Sequence, residues 1–319
     1  MGDIVTSKKM QGTILLFLTA FIWGAAFVAQ KIGTVHVGTF TFITVRFLIS
    51  GIVLLPYVIY SIKKQSIGSA QTMQPLSSAR DRNKVLLIGG ILCGVFLALA
   101  TIFQQMGINF TTAGKAGFIT ALYIILVPIL GIFNRKKVTP VIWICVLVAV
   151  AGLYLLCVQE GFSVNKGDAL VLLCAVFFSF HIMIIDKYSP LTNGIQMSCI
   201  QFFTAALISG ILMLLFEKPD LTSILNCWAP LLYLGVVSGA IGYTLQILGQ
   251  KHAEPATASL ILSTESVFAA IAGTFFLNES FNVRELIGCV LVFGAIIWSQ
   301  ISTTKKTLPL KNDINEISE

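Results

Sequence analysis

The chain has 319 residues, of which 56% are hydrophobic and 11% charged, with a mean hydropathy of +0.89 and a net charge of +7. Soluble domains carry about 25% charged residues, and one water-bounded core cannot hide this much apolar surface, so a soluble globular protein is excluded and lipid is the solvent that surface needs. The positive charge does not indicate nucleic acid, because Lys and Arg sit in short connections between apolar runs and not on a basic face interleaved with aromatics.

Residues 1–11 are polar. The first apolar run, Thr13–Lys31, is long for a signal-peptide core and is followed by more of its kind, so it reads as a retained span. The remaining runs are Thr39–Ile62, Val85–Gly107, Lys115–Phe133, Val141–Val158, Gly167–Lys187, Ile195–Phe216, Trp228–Gln250, Ala256–Leu277 and Glu285–Ile301. The sequence thus predicts an all-α integral membrane protein of ten transmembrane helices. The connections alternate in charge. One side receives Lys8, Lys9, the stretch with Lys63, Lys64, Arg80, Arg82 and Lys84, then Arg135-Lys136-Lys137, Lys187, Lys251 and the tail. The other side mixes its few cations with Glu160, Glu217, Asp220 and Glu279. The positive-inside rule puts both termini in the cytoplasm of a multi-pass plasma-membrane protein, with a bacterial inner membrane as the expected setting. The Ser/Gln-rich loop 63–84 is expected to be flexible, and the polar tail 303–319 disordered.

The seven cysteines have no zinc-ligand or thioredoxin-like spacing; Cys93, Cys145, Cys157, Cys174, Cys199 and Cys289 lie inside apolar runs, and Cys227 opens one. No metal site is expected and no cofactor is implied. There is no Walker lysine motif for ATP, so energy has to come from a proton or ion gradient or from the solute's own gradient. Gly235-Val-Val-Ser238-Gly is a near miss to a nucleophile elbow and reads as helix packing.

The two halves resemble each other. A shift of 155 pairs Trp23-Gly24 with Phe178-Ser179 and Arg46-Phe47 with Gln201-Phe202, and a shift of 142 pairs Gln104-x-x-Gly107 with Gln246-x-x-Gly249 and Gly131 with Gly273. The long 63–84 loop absorbs the change of shift, and Cys145-Val-Leu-Val148 recurs as Cys289-Val-Leu-Val292. A duplication is the reading: residues 1–158 form a first five-helix repeat and 159–302 a second. Five is odd, so the second repeat runs inverted, and inverted repeats of this kind enclose a central cavity with the substrate near the midplane.

Several motifs carry a family resemblance. They are Trp23-Gly24-x-x-Phe27-x-x-x-Lys31, Arg46-Phe47 ahead of Leu54-Leu55-Pro56, Ala121-Leu-Tyr-Ile-Ile-Leu-Val-Pro128 with Gly131, Glu265-Ser-Val-Phe268 followed by Asn278-Glu279, and Gly288 with Gly294. Their order and spacing resemble the drug/metabolite transporter superfamily, specifically its EamA-type ten-helix members, over nearly the whole chain. The resemblance implies a basket of two inverted repeats and export of metabolites or amino acids. It departs where many members have Pro after the acidic residue of the ninth span. Ser266 stands there, which removes the residue expected to kink the helix.

Glu265 is the foremost site candidate. It lies midway along an apolar span, where a carboxylate must face a cavity, find a partner or take up a proton. It can bind a cationic group or exchange a proton for substrate; the alternative is a structural pair with Arg46. Tyr123 is its partner in the repeat and would face it across the pseudo-twofold axis. His181, in mid-span, is a proton-relay candidate or a hydrogen-bonded core residue. Arg46 either holds a substrate carboxylate or pairs structurally, and its counterpart Gln201 is neutral. Gln104 and Gln246 join helices or line the path. Trp23 and Tyr243 are cavity-wall or packing residues, and Lys115 and Glu254 anchor span ends.

The leading function is a secondary transporter of a small organic solute, an exporter of an amino acid or related compound, working by alternating access with proton coupling as an option. Its partners are then a small-molecule substrate, the lipid bilayer and a proton or ion gradient, with a homodimer left open and no nucleic acid. The alternatives are a membrane-embedded enzyme without a recognised motif, and a channel, which would favour rings of charge that this chain lacks.

Overall fold

Alternating polar connections and apolar runs give rods, and the described residues fold as rods alone. A computed structural model describes residues 2–33, 37–68, 79–111, 113–136, 138–157, 165–277 and 282–305, with no strand among them. Helices α1 (Gly2–Gly33), α2 (Thr39–Gly68) and α3 (Ala79–Ile108) are continuous. The fourth run breaks at Leu122 into α4 (Ala113–Ala121) and α5 (Tyr123–Phe133). Then come α6 (Pro140–Cys157), α7 (Lys166–Tyr188), α8 (Gly194–Phe216) and a short α9 (Leu221–Asn226). The eighth run is α10 (Trp228–Leu232), a π-helical stretch Tyr233–Tyr243 and α11 (Thr244–Gln250). The ninth breaks at Ser263-Thr264 between α12 (Pro255–Leu262) and α13 (Glu265–Leu277), and α14 (Val283–Lys305) is last.

Nine segments among the described residues are long and apolar enough to cross a bilayer. The expected tenth, Val141–Val158, is present as a shorter apolar helix, Pro140–Leu156. At 1.5 Å per residue it reaches about 26 Å, a little under the ~30 Å hydrocarbon thickness. Residues 69–78 of the expected loop, the side chain of Cys157, Glu160, Asn278-Glu279 and residues 306–319 of the tail lie outside the described residues.

The packing is that of a membrane bundle. Leu147, Leu214, Phe275 and Val290 face outward, whereas Gln30, Arg46, Gln104, Gln105, Gln201, Gln246 and Glu265 are buried. Two pairs lie between equivalent helices of the two halves. α2 packs on α8, where Phe47 stacks on its repeat counterpart Phe202 with ring centroids 5.9 Å apart. α6 packs on α14, where a Cβ on Gly152 would come within 2.7 Å of the Gly288 carbonyl. The other main contacts keep their pattern when the halves are exchanged: α3 on α7 matches α1 on α11, and α1 on α13 matches α4 and α5 on α7.

Helix ends are tied at the bundle's two faces. Asn165 and Asp168 form a reciprocal capping box on α7, and Asn193 caps α8. Helix α2 has no acidic residue in its own first turn; Glu217, at the end of α8, accepts from Phe40 N (3.0 Å), Thr41 N (2.8 Å) and Thr41 Oγ1 (2.7 Å). A carboxylate at a helix N-terminus satisfies orphan donors and the dipole together. Glu217→Ala is expected to cost about 1–2 kcal/mol, read as a lower thermal midpoint of the detergent-solubilised protein.

Candidate functional site

The two helix breaks bring the site together. Leu122 N bonds Ile119 O (3.2 Å), Ile125 N bonds Leu122 O (3.0 Å) and Leu126 N bonds Leu122 O (3.3 Å). The same three bonds recur 142 residues later: Thr264 N to Ile261 O (3.1 Å), Val267 N to Thr264 O (3.0 Å) and Phe268 N to Thr264 O (3.1 Å). Each break is thus a tightened turn, and the first residues beyond them are Tyr123 and Glu265. Their side chains meet, Tyr123 Oη donating to Glu265 Oε1 at 2.9 Å, and both are buried.

The break before Glu265 forms without proline. Ser259, Ser263 and Thr264 each donate a hydroxyl to the carbonyl three residues back, at 2.9, 2.8 and 2.6 Å. Hydroxyls bonded back onto their own helix bend it. Ser266, which replaces the expected proline, donates to Gly117 O at 3.1 Å and so ties the second broken helix to the first. The kink that Ser266 left open in the sequence is thus present without proline.

Glu265, Tyr123, Trp23, Gln104, Gln246, Tyr243 and Arg46 all line one small cavity, together with Gln30, Phe27, Thr120, Phe178, Ile182 and Ser238. Its volume is about 30 Å³, room for roughly two water molecules. Trp23 and its repeat counterpart Phe178 sit on its wall, and so do Phe27 and its counterpart Ile182.

Arg46 is placed differently from its structural alternative. Among the described residues no ion pair joins it to Glu265, the only such pairs being Lys115–Asp168 and Lys136–Asp186. Its guanidinium lies over the Phe47 ring, 4.6 Å from the centroid, and its Nε has no hydrogen-bond partner. Gln30 Oε1 and Gln246 Oε1, on the same cavity, are likewise without one. Leaving a buried polar atom unmet costs about 1–3 kcal/mol. Gln104 donates to Thr120 Oγ1 (3.3 Å).

His181 stands behind the wall. Its Nε2 lies 3.0 Å from Gln201 Oε1, and its ring meets Tyr243 edge-on with centroids 6.1 Å apart. It braces a wall residue and does not line the cavity. Lys115 anchors as expected, with Asp168 Oδ2 at 2.6 Å. No group of three or more His, Cys, Asp or Glu residues suited to a metal occurs among the described residues.

The π-helical stretch is a feature the apolar pattern did not signal. Gly235, Gly239 and Gly242 let it touch α1 and α2: Ser50 Oγ donates to Gly235 O (2.7 Å), and Trp23 Nε1 donates to Ser238 O (3.2 Å). Trp23 then lies against Tyr243 with centroids 4.6 Å apart. π-Helical turns concentrate at functional sites, and this one aims Tyr243 and Gln246 at the cavity. The Gly235–Gly239 motif packs helices, as its sequence suggests.

A model of the EamA-like transporter family matches the chain twice, over residues 10–158 and 165–300. The chain belongs to the EamA-like transporter family. Relatives of this EamA-like protein include a protein of Archaeoglobus fulgidus described as an uncharacterized transporter, 30% identical over 91% of this chain and 86% of its own length. One of Clostridium kluyveri with the same description is 24% identical over 97% of this chain and 98% of its own. An inner membrane transporter of Escherichia coli, YedA, described as uncharacterized, is 23% identical over 88% of both chains. A crystal structure sharing 17% identity superposes with a TM-score of 0.72 over 92% of this chain and 98% of that one, which shows the common fold. This EamA-like protein is accordingly a multi-pass membrane transporter, and its family and relatives indicate transport and not an enzyme.

Proposed function

We propose that this EamA-like protein moves a small zwitterionic metabolite, an amino acid or a close relative, out of the cell by alternating access, with a proton exchanged at Glu265. The carrying observation is the pairing of Glu265 with Tyr123 at two matching helix breaks on the wall of one small cavity. Discontinuous helices at the midplane are where secondary transporters bind substrate and coupling ion. An acid and an unpaired arginine on one cavity fit the two ends of a zwitterion: the ammonium goes to Glu265, the carboxylate to Arg46, and the amides of Gln30, Gln104 and Gln246 orient the rest. A proton on Glu265 and an ammonium beside it exclude each other, which is how a carboxylate couples the two. The two family matches and the exchange-symmetric packing support ten spans in two inverted repeats, residues 1–158 and 159–302. The basic connections support cytoplasmic termini in a bacterial inner membrane.

The test is flux of labelled amino acids and related metabolites into sealed vesicles holding the pure protein. Saturable uptake that grows with an opposing proton gradient is expected. Uptake no greater than in protein-free vesicles across the set would refute it, and linear, non-saturating flux would indicate a channel. Product formation in detergent would indicate an enzyme. Tyr123→Phe is expected to slow transport on the order of tenfold through the lost bond to a charged group, seen mainly as a shift in its pH profile.

A further inference from the structure

Between the successive helices α13 and α14 a groove of about 700 Å³ opens on the outside of the bundle. One stripe of each helix makes its walls: Val267, Ile271 and Phe275 of α13, and Leu286, Val290 and Ile297 of α14. Every side chain on it is apolar, counting the Cys289 thiol as the small hydrophobe it is. Along α14 the groove runs from Leu286 to Ile297, about 16 Å at 1.5 Å per residue. That is close to half of the ~30 Å hydrocarbon thickness, the depth of one leaflet. At its inner end stands buried Val267, two residues beyond Glu265.

The first half covers the equivalent face with protein. The pairing of Cys145–Val148 with Cys289–Val292 carries Leu286, Val290 and Ile297 onto Ile142, Val146 and Leu153. The three on α14 are 56, 64 and 59% exposed, whereas their counterparts on α6 are 5, 1 and 0% exposed. Helix α6 packs on α4, α12, α13 and α14. Within the groove Gly294 takes the place of Val150. A Cβ at Gly294 would meet nothing within 4 Å, so no contact inside the chain calls for glycine there, although glycine weakens a helix interior. The hollow over Gly294 serves something outside the chain.

A helix of a second copy does not fit it. Close helix contact in a membrane needs small residues one turn apart, and one turn either side of Gly294 stand Val290 and Trp298, both large and exposed. A stable protein interface takes about 20–30 residues a side, and nine line this groove. A spanning helix also crosses both leaflets, whereas the groove is one leaflet deep. We propose that the groove is a lipid site, which holds an acyl chain of one phospholipid from the leaflet that α14 enters first. The chain lies between the two stripes, fills the hollow over Gly294 and gives α14 the cover that protein gives α6. Dispersion contacts with fixed walls on both sides hold it more firmly than the fluid lipid around the bundle. One of those walls is the helix that begins at Glu265, so the bound chain braces that helix.

The test is lipid retention. The full chain is purified in a maltoside detergent, washed, loaded with phosphatidylethanolamine and washed again, and bound lipid is counted by native mass spectrometry. Wild-type protein is expected to keep one phospholipid. Gly294→Leu, which puts a side chain into the hollow, is expected to lower the retained fraction about tenfold, with no fall in the thermal midpoint of the lipid-free protein. Adding lipid back should raise the midpoint of the wild type and leave that of the variant in place. Ala151→Leu, at an exposed position on α6, controls for ordinary surface lipid and should leave retention unchanged. If Gly294→Leu does not yield monodisperse protein, Ile271→Trp fills the groove from the opposite wall and decides the matter. A wild-type protein that keeps no lipid, equal retention in wild type and groove variants, or an equal loss in Ala151→Leu overturns the proposal. So does a wild-type dimer that Gly294→Leu makes monomeric with its lipid unchanged, which would give the groove to a second copy. Retention needs no solute, so its outcome is independent of the transport assay.

Discussion

Replacing Glu265 with Gln is expected to reduce gradient-driven transport by roughly 10- to 150-fold while leaving the amount of folded protein unchanged. Gln keeps the shape and can still accept from Tyr123 Oη, whose bond to Glu265 is 2.9 Å long. It removes the charge that holds a cation and the site that carries a proton. Hydrogen bonds to a charged group are worth about 1.5–3 kcal/mol, which sets the range given. The signature of coupling is qualitative: the remaining flux should lose its dependence on a pH gradient. The measurement is uptake by reconstituted vesicles with and without that gradient, normalised to monodisperse protein by size-exclusion chromatography. Wild-type rates at every pH would remove Glu265 from the mechanism.

The second large effect is expected at Gly24, beside Trp23. Helix α1 crosses α13 so closely there that even a methyl group would sit 2.3 Å from Phe268 Cβ, 2.7 Å from Phe268 C and 2.8 Å from Ala269 N. Two of those atoms are backbone, so no rotamer change relieves the clash. Gly24→Ala is expected to push α13 away one turn beyond Glu265 and to cost about 1–3 kcal/mol or more, as overpacked cores do. Both the thermal midpoint in detergent and the yield of folded protein should fall, and transport should fall further than the yield. A variant with wild-type stability and flux would show that α1 and α13 do not meet this way.

Much of the bundle was legible because lipid imposes a coarse rule: long apolar runs are helices. The repeat-related positions were legible too. Gln104 and Gln246, Trp23 and Phe178, and Phe47 and Phe202 are matched in sequence, and the structure sets them on the cavity or against each other. What the sequence concealed is where the helices break. Proline is the usual sign of a kink, yet the break before Glu265 forms without one, with Ser259, Ser263 and Thr264 bonding back to their own carbonyls. Serine and threonine bond back in this way in straight helices too, as Thr101 and Ser299 do, so composition does not announce the break. The π-helical stretch gives no periodic signal either. His181 stood out as an intramembrane imidazole, and the structure gives it to Gln201 behind Tyr243, because a ring nitrogen can be satisfied by one amide without reaching the cavity.

The most direct test is the chemical accessibility of position 265 in the membrane. A cysteine placed there should react with a small, charged thiosulfonate reagent in sealed vesicles, faster than one at lipid-facing Leu147, which is 67% exposed on the bundle's outer surface. Substrate that fills the site should slow the reaction. A cysteine at 265 that reacts only with lipid-soluble reagents, or not at all under conditions that turn the transporter over, would contradict an aqueous chamber at the meeting point of the two broken helices.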